Sequence, residues 1–248
     1  MRILDNLLST LNLEIPVRDI RLGLFHTAVL TRSCGLAATL PRDALRQHHE
    51  GDSLVKDCGY LVTKGAEDLA RMAYSESLLE AAIGMATINS LLQVDESRCI
   101  NLNAADLIAE KGKGKNIAIV GHFPFIPRLR NLAKEVWVIE KNPQEGDFAE
   151  YQSETWIPRA DVVGITGTSI TNHTLEHLLE LCNPKAYIVI LGDTTPLSPV
   201  LFNYGIDAIS GTKVINAELA LRYVSEGATY RQIKGIIKLI MLREIEKR

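Results

Sequence analysis

The sequence lacks a strong charge imbalance, a long apolar run and any paired cysteines, and each absence removes a class of function. Lys and Arg number 27 against 30 Asp and Glu, a formal charge of -3. No basic field therefore exists to attract nucleic acid or an anionic membrane. No stretch approaches the roughly 20 uninterrupted apolar residues that span a bilayer. The opening apolar run is broken by Asp5 and Glu14, and no small-residue cleavage site follows, so it does not read as a signal peptide. Cys34, Cys58, Cys99 and Cys182 are far apart with no CxxC. They read as reduced thiols of a cytoplasmic protein, serving as small hydrophobes. A nucleophile elbow, a P-loop and the three-glycine dinucleotide fingerprint are also missing.

What remains is ordinary globular composition. The 248 residues are 46% hydrophobic and 23% charged, enough for one large domain or two modest ones. Two regions differ in pattern. In residues 1–104, a helical stripe (Ile3, Leu4, Leu7, Leu8, Leu11) stops at Pro16. The segment VRDIRLGLFHTAVL reads as a long strand, paired through a turn at Arg32–Gly35 with a second strand around LAATL. Residues 46–60 read as loop with room for a short third strand. His48 and His49, beside Glu50, read as solvated. Helices follow around GAEDLARMAY and SESLLEAAIGMATINSLL, the second opened by a capping box of Ser77 and Glu80. Strands followed by helices make this an α+β domain.

Residues 105–248 alternate instead. NIAIVG, EVWVIE, ADVVGITG, AYIVILG and IDAIS read as short apolar strands separated by helices, with Pro127 in the first turn of one of them. The tail YRQIKGIIKLIMLREIEKR reads as an amphipathic helix, packing on the sheet or forming a contact in a homo-oligomer. The pattern is that of a Rossmann-like, doubly wound, mostly parallel sheet.

In such sheets ligands bind beyond the carboxyl ends of the strands. That rule selects GHFPFIPRLR, the segment after Glu140, TGTSITNH and LGDTTPLSP. Glu140 follows Gly121 by 19 residues, the position of a ribose-binding carboxylate, or simply of a surface carboxylate ending a strand. His122, Phe123 and Pro124 occupy places where a pyrophosphate needs bare backbone. Thr166, Thr168, Ser169, Thr171 and Asn172 around Gly167 offer hydroxyls at a helix start; Thr171 or Asn172 is expected to cap that helix. Arg128 and Arg130 can pair with an anion or stand exposed. His173 and His177 have the i, i+4 spacing of metal ligands, but they oppose the apolar stripe Leu175, Leu178, Leu179 and Cys182. His26, in an apolar strand, reads as a core or interface histidine.

Three segments in this order, VGHFPFIPRLR, ADVVGITGTSITNHTLEHLL and LGDTTPLSPVLFNYGIDAISG, resemble the signature blocks of the DUF364 family, named the putative heavy-metal chelation domain. The upstream IRLGLFHTAVLTRSCGLAATL and the helix ending IGMATINSLL resemble its companion, DUF4213. The resemblance implies an enolase N-terminal-like domain followed by a Rossmann-like one, with a site between them. It places that site on Phe123, Pro124, Thr166, Gly167, Thr168, Asn172, Thr194, Thr195, Pro196 and Ser198, and the strand-end rule adds Gly121, Glu140 and Gly192. Asp193 stands where the family more often has proline.

The expected function is binding of a small polar or anionic metabolite, of chelator type, between the two domains. A divalent metal ion would be held jointly by ligand and protein, with Asp193 or Glu140 as the acid–base group. Two rivals are a nucleotide- or S-adenosylmethionine-dependent transferase using Glu140, and a non-catalytic metal carrier using His173 and His177. No nucleic-acid or membrane partner is expected.

Overall fold

The computed structural model describes residues 1–47, 53–100 and 102–243. His48, His49 and Glu50 lie outside them. The first half runs α1 (Arg2–Ser9), β1 (Asp19–Leu22), β2 (His26–Leu30), β3 (Cys34–Ala38), α2 (Pro41–Gln47), α3 (Ala66–Arg71), α4 (Leu78–Leu91) and β4 (Cys99–Ile100). The second runs α5 (Ala104–Gly112), β5 (Asn116–Val120), α6 (Ile126–Arg130), β6 (Glu135–Glu140), β7 (Phe148–Ala149), α7 (Ser153–Trp156), β8 (Val162–Thr166), α8 (Thr168–Thr171), α9 (Leu175–Leu181), β9 (Tyr187–Leu191), β10 (Ala208–Val214), α10 (Ala217–Ser225) and β11 (Ile236–Leu242).

The helical stripe near the start holds: Ile3, Leu4, Leu7 and Leu8 of α1 are buried. The long first strand divides into β1 and β2, because the chain reverses over residues 23–25 and Gly23 N–H bonds the His26 carbonyl. With β3 the result is an antiparallel sheet in the order β1-β2-β3. Residues 41–47 form α2, whose last two residues fall in the expected loop, and no third strand lies in the described part of residues 46–60. The capping box is not made. Ser77 Oγ donates to the Leu54 carbonyl, while Glu80 accepts from Lys56 N–H and Ser75 Oγ. Both side chains pin the preceding loop instead of each other.

The large sheet has the order β4-β11-β10-β9-β8-β5-β6-β7. From β10 to β7 every pairing is parallel. The expected terminal helix is β11, antiparallel to β10 from Ala208↔Leu242 to Val214↔Ile236. Its sequence, IIKLIML, is a β-branched apolar run entered through Gly235, which has φ +76°. That is the mark of a strand covered on both faces, like its neighbours.

Alternate strand residues divide between two cores, as the two-residue period requires. Ile117, Ile119, Val138, Val162 and Val189 pack with Leu107 and Ile108 of α5 and Leu129 of α6. Ala118, Ile139, Val163, Ile165 and Ile188 pack with α9, and their cluster runs on into Leu4, Leu7, Ile83 and Met85 of the first half. The first half thus covers one face of the large sheet. None of the described helices is long and apolar enough to cross a membrane.

Candidate functional site

The strand order reverses direction at β5, which lies between β8 and β6. The loops after β5 and β8 therefore part from one another, leaving a crevice at the carboxyl ends. Gly121 makes the first turn possible. Its φ is +106°, and a Cβ there would stand 3.1 Å from the Phe123 ring and 3.2 Å from Thr166 Cβ. Thr166 closes β8, with its hydroxyl 3.0 Å from that of Thr168.

Thr166 separates two chambers. The smaller, about 100 Å³, gathers Gly121, Glu140, Thr166, Thr168 and Asn172, and is roofed by Leu40 and Asp43 of the first half. The larger, about 710 Å³, gathers Phe123, Pro124, Thr166, Gly192 and Asp193 with residues from β10, β11 and the segment between α10 and β11. Small-molecule sites occupy roughly 300–1,000 Å³, so the larger chamber has the volume of such a site and the smaller does not.

The remaining predicted residues lie beneath the rim. Thr194, Thr195, Pro196 and Ser198 are buried. Thr194 Oγ1 accepts from Ala38 N–H at 2.9 Å, and its carbonyl accepts from Asn89 at 3.0 Å. These bonds join the two halves, so the expected ligand hydroxyl is a structural seam. Ser198 Oγ accepts from Val200 N–H and caps a turn. Gly167 leaves room for Thr195: a Cβ would stand 2.3 Å from its Oγ1. The expected cap on the following helix is also absent. Among the described residues Thr171 Oγ1 is buried without a partner, and Asn172 Oδ1 accepts from the N–H and hydroxyl of Thr174.

His173 and His177 do not share a helix. His173 precedes α9 with φ +62°, and its Nε2 lies 2.8 Å from the Ala73 carbonyl. His177 is exposed on α9. Among the described residues no three His, Cys, Asp or Glu side chains form a metal-holding group. The residues present do not fit a metal held by protein alone.

Asp193, one of the two expected acid–base groups, lines the larger chamber, and the residues gathered around it were not expected there. Asp193 follows the positive-φ Gly192 at the end of β9. Its Oδ2 is bonded by His26 Nε2, and its Oδ1 accepts from Thr194 N–H at 3.0 Å. His26 is 5% exposed, and its Nδ1 has no partner among the described residues. The Tyr230 ring lies 6.0 Å from that of His26, and its hydroxyl shares a 2.7 Å bond with Thr212. Burial pushes the Tyr230 hydroxyl up to about 12; the Thr212 bond opposes the rise and the Asp193 charge adds to it. Lys238 Nζ stands 4.8 Å from the Tyr230 ring centroid. Nothing in the local sequence of these residues announces this assembly. The one available signal was His26, a polar group in an apolar strand that needed a partner.

Residues 103–243 match the family model DUF364, described as putative heavy-metal chelation. The chain belongs to the DUF364 family. Residues 4–92 match DUF4213, which carries the same description. Solved DUF364 structures of unknown function from Desulfitobacterium hafniense and Pyrococcus horikoshii are similar over 97% of this chain and 98% of theirs. Their TM-scores are 0.84 and 0.81, and their identities 27% and 25%. An uncharacterized protein of Methanocaldococcus jannaschii is 29% identical over 240 residues, covering 94% of this chain and 92% of its own. The candidate site draws on both family segments. Asp193, Phe123 and Tyr230 fall in the DUF364 part, while His26, Leu40 and Asp43 fall in the DUF4213 part.

Proposed function

We propose that this DUF364 protein binds a small polar metabolite in the 710 Å³ chamber at the sheet's carboxyl rim. The observation that carries the reading is Asp193. It lines the chamber, is only 13% exposed, and is held by a histidine from the other half of the chain. A carboxylate fixed at both oxygens is a preorganised acceptor for a ligand donor group, and the best-placed acid–base group at the rim. Its partner His26 ties the ligand site to the seam between the halves. With no protein-only metal group present among the described residues, any metal would enter already held by an organic chelator, as cargo.

Native mass spectrometry of the purified chain tests this. A co-purifying or added small molecule should give a mass increment. Ser210→Trp, which fills the chamber from β10, should remove it. Glu140→Gln, in the smaller chamber, should retain it. An increment that survives Ser210→Trp and disappears in Glu140→Gln would move the site to the other side of Thr166 and revive the transferase reading.

A further inference from the structure

Resting on that reading, we propose that the ligand of the larger chamber is a planar aromatic anion bearing a hydroxyl or amino group beside its carboxylate. Three sets of side chains divide the chamber by chemistry. Phe123 and Phe125 stack on each other with centroids 5.2 Å apart and planes 19° apart, and both line the chamber. Two of the chain's five phenylalanines thus form a single wall. An aromatic pair of this kind offers a flat apolar surface that a third ring can extend. Arg231 and Lys238 also line the chamber, and both are exposed. Among the described residues neither has a carboxylate partner within ion-pair distance, so two unpaired cations line the chamber. Lys238 is poised by the Tyr230 ring beneath it.

Asp193 supplies the third set. Each of its oxygens already accepts one bond, from His26 and from Thr194 N–H, and each retains acceptor capacity. It would repel a bare anion but accept a hydroxyl or amine proton. A ligand matching all three has a ring for the phenylalanines, a carboxylate for Lys238 and Arg231, and a donor for Asp193. An aromatic acid with an adjacent hydroxyl fits this description, and its two oxygens are also a bidentate metal grip.

The test is calorimetric titration of the full chain with salicylate, benzoate, cyclohexanecarboxylate and citrate, with ATP as a nucleotide control. Salicylate should bind most tightly. Benzoate, which lacks the donor, should be weaker, and cyclohexanecarboxylate, which lacks the flat ring, weaker again. Lys238→Gln should weaken salicylate roughly ten-fold, the loss of one charge-assisted bond. Phe123→Leu should narrow the gap between benzoate and cyclohexanecarboxylate. The melting temperature of each variant without ligand checks its folding. Salicylate binding that ignores both substitutions would overturn the proposal, as would failure of every probe to bind. Citrate or ATP binding that responds to Lys238→Gln, with salicylate silent, would overturn the aromatic ligand while leaving the chamber as the site.

Discussion

At the scale of single residues, hydroxyls near a strand end serve two masters, and only their partners tell them apart. Thr166 and Thr168 line the smaller chamber, whereas Thr194 is fully buried and accepts the Ala38 N–H. Both look alike in sequence, as a threonine after an apolar strand. The partner of Thr194 lies 156 residues away, a contact no local pattern encodes. The same holds for Asp193 and His26. Thr194→Val keeps the shape but leaves a half-buried backbone N–H without an acceptor. That should cost about 1–3 kcal/mol in urea denaturation, while Thr194→Ser should recover most of it. Equal loss in both variants would show that packing of the methyl group, not the hydrogen bond, holds the seam.

At the scale of elements, apolar strands flanked by helices were legible because a covered parallel sheet leaves continuous runs such as NIAIV and YIVIL. The tail was not, because six apolar residues with one lysine satisfy a helical stripe as readily as a strand. What decides is the open edge of β10, which is a property of the sheet. α5 was hidden for a different reason: its polar, glycine-bearing end resembles a loop, while Asn103 caps its start by accepting the Ala105 N–H. Close packing of elements makes its own prediction. A Cβ on Gly84, in the middle of α4, would stand 2.0 Å from Ala73 N and 2.5 Å from Ala73 Cα. Both atoms are backbone and cannot swing aside. Alanine favours a helix over glycine by about 1 kcal/mol, but overpacking against backbone should exceed that and leave Gly84→Ala about 3 kcal/mol less stable. Gly65→Ala, with nothing within 4 Å, is the control; it loses only a favourable helix cap and should cost no more than about 1 kcal/mol. A stabilised Gly84→Ala protein would mean that α4 and the turn after α3 are free to move apart.

At the scale of the whole molecule, the apolar cluster that runs from α1 and α4 through one face of the large sheet makes the two halves a single packed body. They should therefore unfold together, and two thiols, one buried and one half-buried, can report on it. Cys34 is in β3 of the first half and Cys182 follows α9 in the second. Burial pushes each thiol from its ordinary 9.0 up to about 12, with the Asp19 charge adding to the rise at Cys34. Below pH 9 both thiols are protonated in folded and unfolded chains alike. Above it the unfolded chain sheds protons that the folded chain keeps. Stability is thus intact below pH 9 and falls as pH climbs toward 12. Each thiol should steepen that fall by up to roughly 1.4 kcal/mol per pH unit. Urea unfolding followed at several values between pH 8 and 10 should show one transition whose alkaline decline becomes shallower in Cys34→Ala, shallower in Cys182→Ala, and additively so in the double variant. Two transitions, each responding to only one of the cysteines, would mean that the halves fold apart and that the seam through Thr194, His26 and Asp193 is too weak to make them one.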